Sequence, residues 1–186
     1  MSTTICFDFG NTRLKAAIFK GNQLEKVVIT RSIVPTREIG FLPGSMEEKM
    51  EPYSGPYRAI CTELFQDTKA YDKLVEQDAI EFLSTSYIRG TTFNDAVIIV
   101  DEMQNLTFHE LDSVITRIGQ NCRIIFCGDY LQSDFTKESD KNGFGKFLKI
   151  IEHMTKFSVV TFTWADIVRS DFVRDYIMTK EMLEIN

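Results

Sequence analysis

Polar and apolar residues alternate from Thr3 to Phe9, with Ile5, Phe7 and Phe9 on one side, and the alternation breaks at Gly10-Asn11. That pattern predicts a strand and a tight turn. A second apolar run, Leu14 to Phe19, closes at Gly21-Asn22, so residues 1–22 read as a β-hairpin. Val27-Val28-Ile29 is short and wholly apolar, as a strand buried on both faces is, and it ends in the polar triplet Thr30-Arg31-Ser32. A loop follows, and then Ser45 with Glu48 three residues on spells a capping box that should open a helix. Pro52 and Pro56 should interrupt that helix before it restarts over Tyr57–Phe65.

Strand and helix then alternate more plainly. Ala79–Leu83 reads as a strand, and the unbroken apolar run Ala96–Val100 as a central one. Thr107 and Glu110 form another capping box, ahead of a helix whose apolar side carries Leu111, Val114, Ile115 and Ile118 and which stops at Gly119. Arg123–Cys127 is a further buried strand, Tyr130–Asn142 a polar mobile loop, Phe144–Met154 an amphipathic helix, Phe157–Phe162 a strand and Asp171–Leu183 a terminal helix. Alternation of this kind predicts an α/β fold with a mainly parallel sheet covered on both faces.

Composition narrows the class. The chain has 186 residues, 44% hydrophobic and 26% charged, a length and balance that suit one globular domain needing no metal or disulfide to hold its core. The cysteines Cys6, Cys61, Cys122 and Cys127 are scattered without a CxxC pair, and with only two histidines beside them a zinc site is not expected. Neither a leader nor a membrane span is expected, so the thiols should be reduced in a cytosol. A net charge of −6 excludes nucleic-acid binding by bulk charge but leaves room for a local basic groove.

The strongest chemical signal is Val97-Ile98-Ile99-Val100-Asp101-Glu102. Two carboxylates emerge at the C-terminal end of a central strand, where α/β sheets bind ligands. In nucleotide-hydrolysing proteins the first such carboxylate serves Mg²⁺ and the second the attacking water, while the plain alternative is a strand followed by an acidic turn. The next strand ends Cys127-Gly128-Asp129-Tyr130-Leu131-Gln132, which can set an amide near a γ-phosphate.

The segments VVITRSIVPTREIGFLPGSMEEKMEPY, STSYIRGTTFNDAVIIVDEMQN, HELDSVITRIG, GDYLQSD and DIVRSDFV together resemble PhoH-like P-loop ATPases, especially the phage form, over about residues 24–186. The resemblance implies a RecA-like P-loop NTPase core related to superfamily 1 helicases, using ATP and Mg²⁺ on nucleic acid, chiefly single-stranded RNA, in a homo-oligomeric ring with no membrane. It also implies roles: Asp101 for Mg²⁺, Glu102 for water activation, Gln132 as phosphate sensor with Asp129 near the nucleotide, and Arg169 as an arginine finger across a subunit interface. Thr30, Arg31, Arg89 and Thr91 correspond to motifs beside the nucleic-acid path. For Arg31 and Arg89 the alternative is an arginine in a solvated loop, and for Arg169 a helix-start arginine paired with Asp166 or Asp171.

The family also carries G-x-x-x-x-G-K-[ST], whose backbone N–H groups and lysine hold phosphates, and no such string occurs in these 186 residues. Instead ICFDFGNTRLKAAIFKG resembles the opening hairpin of type III pantothenate kinases, which implies nucleotide contacts from Asp8, Asn11, Thr12 and Lys15. Residues 1–23 are therefore expected to be a foreign or replaced hairpin, and 24–186 an NTPase domain truncated at its start and impaired in hydrolysis. Thr3–Phe9 is apolar enough to stand in for the lost first strand, whose absence would leave edges unpaired at roughly 1–3 kcal/mol per buried polar group. The alternatives are a non-hydrolysing nucleic-acid-binding or oligomer subunit, and a fragment or chimera of a pantothenate kinase.

Overall fold

In a computed structural model, residues 26–32, 46–88, 90–129 and 138–183 are described, and of 46–52 and 138–142 the backbone alone. The hairpin, Ser45, Arg89 and Gln132 lie outside them. Four strands, β1 (Lys26–Arg31), β2 (Ile80–Ser84), β3 (Ala96–Asp101) and β4 (Arg123–Phe126), form one parallel sheet in the order β2-β1-β3-β4. The α/β class and the parallel sheet are as the apolar runs predict.

Side chains alternate between the two faces of β1 and β3, and each face has its own cover. Ile29 and Ile80 pack under Tyr57 and Cys61 of α1 (Met46–Phe65) and Ala70 and Tyr71 of α2 (Ala70–Glu76). Val28, Ile98 and Val100 pack against Leu111 and Val114 of α3 (Phe108–Ile115) and Phe144, Phe147 and Ile151 of α4 (Glu138–Glu152). Helix α5 (Asp171–Met182) closes the order. The Thr107 capping box is present: Thr107 Oγ1 accepts from the Glu110 N–H at 3.3 Å, and Glu110 Oε2 accepts from the Thr107 N–H at 2.9 Å. Among the described residues no helix is long and apolar enough to cross a membrane.

Four elements depart from the sequence reading. Helix α1 is continuous across Pro52 and Pro56, because burial of Tyr57 and Cys61 against the sheet outweighs two missing N–H donors. Helix α4 begins at Glu138, inside the stretch read as polar loop, because its buried residues Phe144, Phe147 and Ile151 anchor a helix whose first turns extend into solvent-type sequence. Helix α2, whose seven residues are too short for a clear period, is absent from that reading. Residues 157–162 are not a strand: Val159, Val160 and Phe162 stay 65%, 47% and 45% exposed, and among the described residues none offers them a ladder.

Candidate functional site

The parallel register sets Arg31, the last residue of β1, beside Asp101, the last of β3. Both fall on the sheet face that α1 covers. Asp101 is buried, and a carboxylate there is stable only with donors and counter-charge around it. Its Oδ1 accepts from the Glu102 N–H at 3.0 Å, and its Oδ2 accepts from the Tyr57 hydroxyl at 2.6 Å. Arg31 Nη1 stands 4.0 Å from that same Oδ2. Burial, followed by the negative charge and hydrogen bond of Asp101, pushes the Tyr57 phenol far above its ordinary range, so it remains a donor. Cys127 lies on the same face, its thiol also pushed well up by burial and then by Asp101.

Just beyond β3 the chain turns sharply, with Glu102 in the left-handed region at φ 51° ahead of a 3-10 turn over Met103–Asn105. That turn buries Gln104, whose amide joins the two strand ends: its Nε2 donates to Glu102 Oε2 at 2.6 Å and its Oε1 accepts from the Asp129 N–H at 3.1 Å. Gly128 makes the approach possible, since a Cβ there would sit 2.4 Å from Gln104 Oε1 and 2.6 Å from Met103 Cγ. Gln104 was not among the predicted site residues. Its one sequence signal is an amide two residues after the acidic pair, and nothing in periodicity marks such an amide as buried.

Thr30 is wholly buried within β1, and its hydroxyl finds no partner among the described atoms. Glu110 organises the other face: its Oε1 accepts from Thr85 Oγ1 at 2.7 Å and from Ser32 Oγ at 3.5 Å. Thr91 is exposed in the turn after Gly90, whose φ of 86° suits glycine, and Arg169 is half-buried just before α5. Among the described residues, neither Thr91 nor Arg169 shares a hydrogen bond or ion pair with Asp101, Glu102 or Asp129. The structure therefore brings together Asp101, Glu102, Asp129 and Arg31, and adds Tyr57 and Gln104 to them.

Asp101 suits Mg²⁺, which keeps most of its waters and asks for one or two carboxylates plus substrate phosphates. Two of the roughly four acceptor positions of the carboxylate are occupied by Glu102 and Tyr57, so capacity remains. Among the described residues no group of three or more His, Cys, Asp or Glu side chains converges, so a cation at Asp101 would take its remaining ligands from water and substrate phosphate. Bound there, Mg²⁺ would supply charge for phosphate oxygens.

A family model described as PhoH-like protein matches residues 12–181. A PhoH-like protein of Mycobacterium leprae is 33% identical over 157 residues, covering 83% of this chain and 44% of its own length. A PhoH-like protein of Bacillus subtilis is 33% identical over 160 residues, 85% of this chain and 49% of its own. Protein PhoH of Escherichia coli K12 is 33% identical over 149 residues, 79% of this chain and 42% of its own. The chain thus spans just under half the length of these curated relatives.

Proposed function

The chain belongs to the PhoH-like protein family, and from that premise we propose that it is the part of an ATP-using, nucleic-acid-directed machine that presents the cation and water carboxylates. In this reading Asp101 serves Mg²⁺, Glu102 polarises the attacking water and Gln132 senses the phosphate. Single-stranded RNA follows the end of β1 past Arg31 and the turn at Gly90 that precedes Thr91, with Arg89 as a further phosphate contact. Subunits assemble as a ring, with Arg169 reaching a neighbour's nucleotide. The observation that carries the reading is the Glu102–Gln104–Asp129 link, which joins the two motif ends on neighbouring strands. An amide bonded to both can pass a change at one strand end to the other.

Glu102 and Asp101 act only on phosphates that another element positions, and G-x-x-x-x-G-K-[ST] is not among these 186 residues. The purified chain is therefore expected to show ATP turnover at background in a phosphate-release assay. Rapid hydrolysis abolished by Asp101→Asn would overturn this, and would show that the chain holds a phosphate cradle of another kind.

A further inference from the structure

The buried hydroxyl of Tyr57 has no part in the reading above, yet it makes the shortest contact to the carboxylate on which that reading rests. Tyr57 reaches the sheet from α1, and its ring lies on Phe82 of β2 with centroids 5.3 Å apart. Packing therefore fixes the ring independently of its oxygen. The hydroxyl donates to Asp101 Oδ2 at 2.6 Å, and Arg31 Nη1 faces the same oxygen at 4.0 Å. On the other side Oδ1 takes the Glu102 N–H at 3.0 Å. The carboxylate is thus held from both ends.

We propose that Tyr57 is a positioning residue for Asp101, holding the carboxylate through Oδ2 in the orientation in which it receives a divalent cation. The inference rests on the reading of Asp101 as the cation carboxylate. A free Asp side chain on the last residue of a strand can rotate about χ1 and χ2, and a cation must then select one orientation from several. Tyr57 removes that freedom in advance. It does so with a neutral donor, which fixes the carboxylate without adding positive charge beyond that of Arg31 to compete with the cation. Hydrogen-bond partners of ligating carboxylates are worth about 10- to 100-fold in metal affinity where they have been removed.

The test is Mn²⁺ binding to the full chain, followed by the electron paramagnetic resonance signal of free Mn²⁺, with a thermal melt of each variant. Tyr57→Phe keeps the ring and loses only the donor, and is expected to weaken Mn²⁺ about tenfold. Phe82→Leu loosens the same packing without touching the hydroxyl, and is expected to lower the melting temperature while leaving Mn²⁺ affinity unchanged. Asp101→Asn is expected to abolish the site. Parent-like Mn²⁺ affinity in Tyr57→Phe, with the site lost in Asp101→Asn, overturns the role of Tyr57 and leaves that of Asp101 standing. Equal losses in Phe82→Leu and Tyr57→Phe, or the absence of a cooperative melt in Tyr57→Phe, overturn it as well, by assigning the tyrosine to the fold. Mn²⁺ binding that Asp101→Asn does not alter, or no binding by the parent chain even at millimolar Mn²⁺, where one carboxylate with metal-bound waters should register, sinks the reading of Asp101 itself.

Discussion

Gly128 sits where two motifs meet, and its lack of a side chain is what lets Gln104 and Met103 close on it. Gly128→Ala must displace Gln104 Oε1 and Met103 Cγ, so it is expected to cost about 1–3 kcal/mol, as overpacking does, read as a lower melting temperature. The same change should separate Gln104 from Asp129. Arg31 and Arg89 carry a different expectation. If each meets one phosphate of a single-stranded oligonucleotide, replacing either by Ala lowers the slope of log affinity against log salt by about one counterion, roughly 0.7 for single strands. An unchanged slope in both variants would move the contact elsewhere. Asp101, Glu102 and Gly128-Asp129 were legible as strand-end chemistry because apolar runs point at them. Tyr57 and Gln104 were not, since a tyrosine on a helix and an amide in a turn acquire meaning only from what they face.

Helix α1 is the element in which local and tertiary preferences disagree most. An interior proline costs a helix about 3 kcal/mol relative to alanine, yet α1 runs through Pro52 and Pro56 without a break. Pro56 is exposed, so Pro56→Ala alters the backbone alone and is expected to raise stability by about 1–3 kcal/mol in a denaturant titration. No gain would mean that the proline is accommodated at little strain. Helix α3 shows the opposite case, where local rule and structure agree. Its cap is reciprocal, and Thr107→Ala is expected to cost about 1 kcal/mol. Capping boxes are readable because both partners sit three residues apart on one chain. The 157–162 stretch was misread because apolar periodicity states that a strand is affordable, whereas its existence depends on a free ladder.

At the scale of the whole molecule, four buried thiols and phenols among the described residues bias stability in one direction. Burial raises the thiols of Cys61 and Cys127 above their ordinary 9.0 and the phenols of Tyr57 and Tyr71 above their ordinary 10.0. Above about pH 9 the unfolded chain releases these protons while the folded chain keeps them, so the unfolded state binds fewer and stability must fall as pH rises. The stabilising contribution is complete below the unfolded values and is lost on the alkaline side. Denaturant midpoints at pH 8 and pH 10.5 are expected to show that loss, and Cys127→Ala to reduce it. The order of apolar runs, by itself, determined the α/β class, the strand cores of β1 to β4 and the acidic pair at the end of β3. It did so because burying a strand on both faces requires an unbroken apolar stretch, which is a local property of the chain. Tertiary structure alone decided that α1 continues through its prolines, that residues 157–162 pair with no strand among the described residues, and that Tyr57 and Arg31 meet at Asp101. Those outcomes depend on which surfaces lie opposite one another across the sheet, and residues 44 and 70 positions away from Asp101 in the chain carry no local mark of that meeting.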